Sequence, residues 1–322
     1  MRIKNVISTL MLIMALPFIS ACSSDDENNS NFRYNPTGQG VGQVSWVTPN
    51  SVVIKAGTRS IVLLSSEKTL LENVENAYNK AMSPNSETVW WSEYDDTDHI
   101  RGYLFYGLTP NTTYYYVTLV HNSVDDYFSY GDIGSFTTDE PISEIVDLGL
   151  SVKWRGWNLD ANNPYDRGYG YMWGYTNAGY IKNPNYPQES SIVGTKYDAA
   201  KVQLGGNWRM PTKAECEELT TECTFQKVSC YNEADDSYWY GIYVTGPSGK
   251  HLFIPMTWTL TVNDYYELDY FNTCCFWIGE SDISNGDKYY FSGYNEDTFN
   301  SSFGEIKRCY KNWELPIRAV TE

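Results

Sequence analysis

The sequence has few basic residues and almost no histidine. It contains 23 lysines and arginines against 40 aspartates and glutamates, a formal net charge of −17 at pH 7, and only three histidines. Such an acidic chain repels the phosphates of nucleic acids and anionic lipid headgroups, so we expect neither as a partner. The supply of imidazole bases is limited to His99, His121 and His251.

Recognisable catalytic and metal-binding motifs are also missing. The sequence has no Gly-x-Ser-x-Gly, no His-Glu-x-x-His and no Cys-x-x-Cys, which disfavours a serine hydrolase, a zinc protease and a structural zinc site. A pair of glycosidase carboxylates stays open, because spacing in three dimensions rather than sequence defines it. We therefore assign no catalytic, cofactor-binding or metal-binding residue and expect no enzymatic activity.

The apolar run near the start is too short to cross a bilayer. Residues 6–19 follow Arg2 and Lys4, whereas a membrane helix needs about 20 apolar residues. A cationic start, a short apolar run and small residues before a cysteine are typical of a secretory signal. The segment Ile19-Ser20-Ala21-Cys22 resembles a bacterial lipobox, and the acidic residues after it resemble the export tag of Bacteroidetes surface lipoproteins.

This resemblance implies that the protein is located on the cell surface. Residues 1–21 would be a lipoprotein signal peptide, and Cys22 would carry the lipid that attaches the protein to the outer membrane, facing the exterior. Residues 22–40 are rich in Ser, Asp, Asn and Gly, a composition that predicts a flexible tether.

Residues 41–139 are predicted to form a β-sandwich. Short β-branched runs alternate with turn signals such as Thr48-Pro49-Asn50. Leu108, Pro110, Thr112 and Tyr114 match the Leu-x-Pro-x-Thr-x-Tyr signature of fibronectin type III domains. This resemblance implies a tyrosine corner, in which the Tyr114 hydroxyl bonds the backbone at a turn between the sheets.

One segment of this domain departs from a standard sandwich. Residues 66–82 carry an apolar stripe at helical spacing, and the pattern predicts a helix that stops at Ser83-Pro84. We expect the stripe to pack on the domain's own sheet, with a partner-binding helix as the alternative. The stripe consists of Leu70, Leu71, Val74, Ala77, Tyr78 and Ala81.

Residues 145–322 form the second predicted domain. Thr212 and Glu215 have the spacing of a capping box at the start of a helix, and the remainder is rich in strand patterns. Four segments resemble the Fibrobacter succinogenes major paralogous domain, which implies an α+β, C-type lectin-like fold. These segments are Asp147-Leu148-Gly149-Leu150, Trp208-Arg209-Met210-Pro211-Thr212, Gly241-x-x-Val244-Thr245-Gly246-Pro247 and Pro316-Ile317-Arg318. The whole chain is thus expected to be mainly β with some α.

A shared fold does not imply shared catalytic or metal-binding residues. Residues 209–215 are similar to a segment of the formylglycine-generating enzymes, which hold copper with paired cysteines near the C-terminus. Cys309 lies in the corresponding region, but position 314 is Glu and the pair is missing. Calcium-dependent lectins use Glu-Pro-Asn or Gln-Pro-Asp, and neither occurs. The acidic group Asp264, Glu267 and Asp269 leaves calcium binding open.

The cysteines other than Cys22 all lie in the second domain. In an exported protein, the six residues Cys216, Cys223, Cys230, Cys274, Cys275 and Cys309 favour disulfides of open connectivity. Cys216 and Cys223 would stand roughly 10 Å apart along a helix, too far to pair. Adjacent Cys274 and Cys275 would point to opposite faces of a strand.

The aromatic content indicates the kind of ligand. The chain has 28 tyrosines and 11 tryptophans, and such rings stack on the apolar faces of sugars. As ligand contacts we select Tyr238, Trp239, Tyr240, Tyr265 and Tyr266. The expected function is that of a lipid-anchored, non-catalytic surface protein that binds a glycan or another surface ligand. An adhesion or assembly protein with a protein partner is the alternative, followed by a glycan-processing enzyme.

Overall fold

The computed structural model describes most of the chain from Asn31 onward. The described residues are 31–35, 42–57, 59–84, 86–92, 94–95, 102–182, 184–232, 237–262, 268–282, 287–295, 304–309 and 312–322, with only the backbone described for 230–232, 237–239, 258–262, 268–272 and 294–295. The protein is mostly β, with 42% strand and 12% helix, which confirms the expectation of a mainly-β chain. It divides into two units between Glu140 and Pro141. In the described part, no helix is long and apolar enough to span a membrane.

Among its described residues, the first unit has two sheets and two short helices. One sheet has the strand order β2-β3-β7-β6, and the other has the order β1-β9-β8-β4-β5, with β10 also paired to β8. The elements are β1 (Phe32–Tyr34), β2 (Gln43–Val47), β3 (Ser51–Lys55), β4 (Ser60–Ser65), α1 (Thr69–Glu72), α2 (Val74–Ala81), β5 (Trp90–Ser92), β6 (Tyr94–Asp95), β7 (Gly102–Tyr106), β8 (Thr113–Asn122), β9 (Tyr127–Tyr130) and β10 (Gly134–Thr137).

Strand β4 lies between two hydrophobic cores. Val62 and Leu64 join the cluster shared with Val52 of β3, while Leu63 joins the cluster that contains the helical residue Leu71. Because successive side chains of a strand point to opposite faces, β4 contributes to both cores. The β2-β3-β7-β6 sheet covers one face of β4, and the helices cover the other.

The segment predicted as one helix over 66–82 forms two. Asn73 has extended backbone, and its side chain accepts a hydrogen bond from the Asn76 N–H at 3.0 Å, so it ends α1 and caps α2. The prediction of a single helix is therefore wrong, because a capping side chain interrupts the periodic stripe. The expectation that the stripe packs on its own unit is confirmed, since Leu71, Val74 and Ala77 are buried in the helix-side core.

Tyr114 occupies the corner that the sequence predicts. Its ring is buried, and its hydroxyl accepts a hydrogen bond from the backbone N–H of Thr109 at 3.0 Å. Thr109 belongs to the turn before β8, so this bond fastens the turn to the strand that follows it.

In the part of the second unit that the structure describes, the strands form three sheets. A small sheet, β11-β12-β22, pairs the first strands of the unit with its last; the others are β13-β21-β17-β18-β19-β20 and β14-β15-β16. The elements are β11 (Ile145–Val146), β12 (Lys153–Arg155), β13 (Tyr171–Met172), α3 (Ala199–Leu204), α4 (Lys213–Glu222), β14 (Thr224–Asn232), β15 (Ser237–Thr245), β16 (His251–Pro255), β17 (Thr257–Val262), β18 (Leu268–Ser281), β19 (Lys288–Asn295), β20 (Glu305–Cys309), β21 (Glu314–Leu315) and β22 (Val320–Thr321).

The long strand β18 separates two cores of this unit. Cys274 and Phe276 face one cluster, and Cys275 and Trp277 face the other. The predicted divergence of the adjacent cysteines is thereby confirmed. Near the chain end, the fully buried Arg318 donates hydrogen bonds to Asn158 Oδ1 and to two backbone carbonyl oxygens, which links three segments of the unit.

Helix α4 begins at the predicted capping box. Thr212 Oγ1 accepts from the Glu215 N–H at 3.2 Å, and Glu215 Oε2 accepts from the Thr212 N–H at 2.8 Å. Arg209 adds a two-pronged ion pair to the same carboxylate at 2.9 and 2.5 Å. Burial raises the pKa of Glu215, but the bonds from Arg209 and Thr212 outweigh it and hold the pKa below its usual value.

The expectation of disulfides fails for the cysteines whose side chains are described. Cys216, Cys223, Cys274, Cys275 and Cys309 are all buried thiols, and Cys216 and Cys223 do not pair with each other, as expected. They are distributed over the two cores of the unit. Burial raises the pKa values of the Cys216 and Cys309 thiols well above the ordinary value, which makes them poor nucleophiles. The Cys230 side chain lies outside the described part.

Candidate functional site

Most of the predicted ligand contacts lie where side chains are not described. Cys22, Tyr265 and Tyr266 fall outside the described residues altogether. Tyr238 and Trp239 belong to β15, where they pair with Tyr231 and Cys230 of β14, but only their backbone is described. Their role as ligand contacts stays a prediction.

Tyr240 is the one selected aromatic whose side chain is described. It is half-buried and packs against the first core cluster of the second unit, and its carbonyl oxygen accepts from the Met256 N–H at 2.8 Å. Of the candidate calcium ligands, Asp264 and Glu267 lie outside the described residues. In the part that is described, no group of three acidic, histidine or cysteine side chains could hold a metal.

The structure draws attention instead to Glu314, the first residue of β21. It pairs with Met172 of β13 on one side and with Leu260 of β17 on the other. Glu314 and Met172 are directly opposite one another in an antiparallel pair, so their side chains share one face of the sheet. Leu315 and Tyr171 share the other face and join the second core. Glu314 thus projects from a short, well-anchored strand on the side away from that core.

The Glu314 carboxyl group is desolvated but has no compensating partner. Its Oε1 atom is buried and has no hydrogen-bond partner. Burial raises the pKa of this carboxyl group above its ordinary value, because a buried carboxylate loses the hydration that stabilises its charge. No lysine or arginine of the described residues forms an ion pair with it. A buried acceptor without a hydrogen-bond partner lowers the stability of the folded protein. Groups of this kind are often found at functional sites.

The neighbouring Gly170 lies close against Glu314. A Cβ atom at position 170 would lie 3.0 Å from Glu314 Cβ, closer than ordinary contact. Gly170 also accepts, through its carbonyl oxygen, a hydrogen bond from the Gly179 N–H at 2.9 Å. A glycine at this position permits both the close approach of Glu314 and the pairing with the next loop.

An exposed tyrosine belongs to the loop that contacts β13. Gly179 forms a parallel bridge with Tyr171, and the Ile181 N–H contacts Met172 Sδ at 3.1 Å. Tyr180 lies between these two anchored residues. The Tyr180 side chain is 47% exposed. We call Glu314, Gly170, Met172 and Tyr180 the Glu314 site.

Buried hydrogen bonds hold β13 in place beneath the site. The Tyr171 hydroxyl donates to the Asp160 carboxylate and accepts from Gln203 Nε2 at 2.8 Å. Trp277 Nε1 donates to the Tyr171 carbonyl oxygen at 2.6 Å. Rigid support of this kind keeps a binding residue in one geometry and lowers the entropy lost on binding.

A charged groove elsewhere in the second unit is the other candidate. Its volume is about 760 Å³, and it is lined by Lys213, Glu217, Asp287, Tyr289, Ile306, Lys307 and Arg308. Each of its cations already has an acidic partner: Lys213 with Glu217 at 3.2 Å, Lys307 with Glu305 at 3.2 Å, and Arg308 with Asp282 at 3.1 Å. The Glu314 site, with its unsatisfied acceptor, is the stronger candidate.

The sequence alone draws attention to Glu314 only by comparison with the formylglycine-generating enzymes, because the paired cysteine expected in this region is missing and position 314 is Glu. The signal that points to it is its position opposite Met172, and this requires the pairing of β13 with β21, about 140 residues apart in sequence. No protein-family model matches the chain, and no curated protein matches it. The chemistry of the Glu314 site is therefore the basis for assigning a function.

Proposed function

We propose that this protein is a lipid-anchored, non-catalytic cell-surface binding protein whose second unit recognises a glycan. The observation that carries the proposal is the Glu314 site. A half-buried carboxyl group, that of Glu314, stands on a well-anchored strand, and the exposed ring of Tyr180 belongs to the loop that contacts the neighbouring strand β13. Saccharides offer what this pair lacks, namely hydroxyl donors for the carboxylate and apolar C–H faces for the ring.

The strand order of the first unit supports a fibronectin type III-like spacer. Sheet β2-β3-β7-β6 corresponds to strands A-B-E-D of an immunoglobulin-like sandwich, and β4, β8 and β10 correspond to C, F and G. The hydrogen bond between the Thr109 N–H and the Tyr114 hydroxyl supports the same assignment. Helices α1 and α2, between β4 and β5, would be an insertion.

The closure of the second unit supports a C-type lectin-like domain. The segments that carry the resemblance begin and end this unit, and β12 pairs with both β11 and β22. The buried Arg318 of the closing motif bonds to Asn158 and to the Phe253 carbonyl oxygen. Arg318 thereby links the segments around residues 158, 253 and 318, which is consistent with a single domain.

The attachment to the outer membrane rests on the resemblance around Cys22. In this proposal, residues 1–21 are removed, Cys22 is lipidated, and residues 22–40 tether the two units to the exterior. Metabolic labelling with a radioactive fatty acid tests it: the full chain incorporates label, and Cys22→Ala does not. Label on Cys22→Ala would refute the assignment.

The glycan-binding proposal is tested on a glycan array. The mature chain, purified in detergent from residue 22, is compared with Glu314→Gln and with Glu189→Gln, which removes the same charge from an exposed position. We expect binding to a defined set of saccharides, loss of at least about tenfold in affinity for Glu314→Gln, and no change for Glu189→Gln. Failure to bind any saccharide on the array would refute the proposal.

A protein partner is the second candidate function. Strand β20 ends the order of its sheet among the described strands, and an edge strand can accept a strand from another protein. Cross-linking on intact cells tests this adhesion or assembly role, which predicts one reproducible partner that contacts β20. If no partner is recovered by cross-linkers placed on Lys307, this candidate fails.

A further inference from the structure

We infer that residues 31–35 form a strap that ties the start of the mature chain to the first unit and protects one cleavage site for trypsin-like proteases, the bond between Arg33 and Tyr34. While the strap is closed, this bond is shielded; when the strap opens, the bond is accessible to hydrolysis. The release of both units from the cell on cleavage rests on the proposed lipid attachment at Cys22, whereas the strap itself does not depend on it.

The backbone of the strap is paired along one edge. Strand β1 pairs in parallel with β9, and hydrogen bonds continue the pairing on both sides of it. The Phe128 N–H donates to the Asn31 carbonyl oxygen at 2.7 Å, and the Asn35 N–H donates to the Tyr130 carbonyl oxygen at 2.8 Å. Because β1 ends the strand order of its sheet among the described strands, β9 is the strand that holds it.

Side chains fasten the strap from both of its faces. On one face, the Phe32 ring stacks on Phe128 with 5.3 Å between ring centroids and contacts Tyr78 of α2 at 5.4 Å. On the other face, the guanidinium carbon of Arg33 lies 4.0 Å from the centroid of the Tyr127 ring, a cation–π contact. Phe32 thus attaches the strap to both the sheet and the helix that covers it.

The strap is held more weakly than the rest of the unit. Of its five residues, only Phe32 is half-buried and the other four are exposed. The Tyr34 hydroxyl donates to Asp132 Oδ1 at 2.5 Å, but the Tyr34 side chain is 56% exposed. A segment with few buried apolar contacts opens at a lower free energy than the whole domain. The strap can therefore open while the rest of the unit stays folded.

Arg33 gives this opening a chemical consequence. It is the only lysine or arginine between Cys22 and Lys55. A trypsin-like protease binds a basic side chain in a pocket that contains an aspartate and hydrolyses the following bond: water adds to the Arg33 carbonyl carbon, the C–N bond to Tyr34 breaks, and a carboxylate and an amine are formed. Because the Arg33 backbone is paired with β9, cleavage requires the open strap, and its rate reports how often the strap opens.

The test is limited digestion of the mature chain, purified in detergent from residue 22, with trypsin, followed by mass spectrometry of the intact products. A synthetic peptide of residues 27–40 gives the rate for the unpaired bond. We expect the protein to be cut after Arg33 at least about a hundredfold more slowly than the peptide. A protein that is cut as fast as the peptide would overturn the inference.

Two substitutions of Phe32 test what holds the strap closed. Phe32→Ala removes the ring contacts with the sheet and the helix, so cleavage after Arg33 should become roughly tenfold faster, with peptides of the same substitution correcting for protease preference. Phe32→Leu keeps an apolar side chain and should stay close to the parent. The control Tyr169→Ala removes an exposed ring from the second unit and should change nothing. An unchanged rate for Phe32→Ala would overturn the role of the ring.

Two further measurements separate the strap from unfolding and from attachment. Cleavage after Lys55, at the end of β3, reports unfolding of the unit, and Phe32→Ala should not accelerate it; equal acceleration at Arg33 and Lys55 would overturn local opening. On intact cells, trypsin should release protein that begins at Tyr34, and faster from Phe32→Ala than from the parent. If the purified chain behaves as expected but cells release none, the proposed surface attachment fails and the strap stands.

Discussion

Two glutamates of the second unit show how surroundings decide what a carboxylate does. Glu215 caps a helix, binds Arg209 and has a lowered pKa. Glu314 is desolvated, has a buried oxygen without a hydrogen-bond partner and has a raised pKa. The first arrangement stabilises the fold. The second costs stability, and such costs are typical of residues retained for binding.

Replacing Glu314 should therefore stabilise the folded protein at neutral pH. Because burial raises the pKa of Glu314 in the folded state, the folded protein takes up this proton before the unfolded chain does. Its contribution to stability is fully present below the unfolded pKa and is lost as the pH rises through the folded pKa. We expect Glu314→Gln to raise the free energy of unfolding at pH 7 by up to about 1 kcal/mol, with no gain at pH 4.

Urea unfolding at the two pH values measures this difference, with Glu189→Gln as the control for removal of an exposed charge. A Glu314→Gln protein that is less stable than the parent at pH 7 would show that the carboxylate is a structural partner, contrary to this expectation.

Replacing Glu215 should have the opposite effect. Glu215→Ala removes a helix cap and leaves the half-buried Arg209 without its counter-charge, so we expect a loss of about 2–4 kcal/mol at pH 7. Because the folded pKa of Glu215 is lowered, its stabilisation is present above the unfolded pKa and lost as the pH falls through the folded value. The control is Glu217→Ala on the same helix, whose exposed pair with Lys213 should contribute about 0–1 kcal/mol. Urea titration that gives equal losses for both variants would contradict the assignment.

At the level of elements, local chemistry predicts the structure well where one or two side chains decide it. The capping box of Thr212 and Glu215 and the opposite orientation of Cys274 and Cys275 follow from short-range rules, and both are found. The bond from the Thr109 N–H to the Tyr114 hydroxyl, which the resemblance to fibronectin type III domains implies, is found as well. The interruption between α1 and α2 also depends on one local residue, the capping Asn73. The apolar stripe continues across Asn73, however, so the sequence pattern predicts a single helix. The pairing of Glu314 with Met172 depends on strands distant in sequence, and no local pattern reports it.

The split between α1 and α2 leads to a prediction about two asparagines. Asn73 caps α2 through its side chain, so Asn73→Ala should lower the free energy of unfolding by about 1 kcal/mol. Asn79 is exposed inside the same helix, where alanine is the better helix former, so Asn79→Ala should raise it by a few tenths of a kcal/mol, roughly. Thermal unfolding followed by circular dichroism measures both, and the same sign for the two variants would refute the role of Asn73 as a cap.

At the level of the whole molecule, the acidic charge acts on every ligand that approaches. A field from a net charge of −17 attracts cations and repels anions over roughly 8–10 Å at physiological ionic strength, and added salt screens it. A protein of this charge can thus attract a cationic ligand, such as an amino saccharide, at a distance.

Salt dependence measures this attraction. For the mature chain, raising the salt concentration from about 0.01 M to about 1 M shortens the screening length from roughly 30 Å to roughly 3 Å. We expect the affinity for an amino oligosaccharide to fall severalfold over this range, and the affinity for its N-acetylated, neutral counterpart to stay nearly constant, because only the first carries a charge. Isothermal titration calorimetry measures both affinities. In Glu314→Gln the salt slope for the amino ligand should shrink but persist, since the remaining acidic surface still attracts it; a slope that vanishes entirely would place all of the electrostatic attraction in Glu314 and none in the charge of the chain.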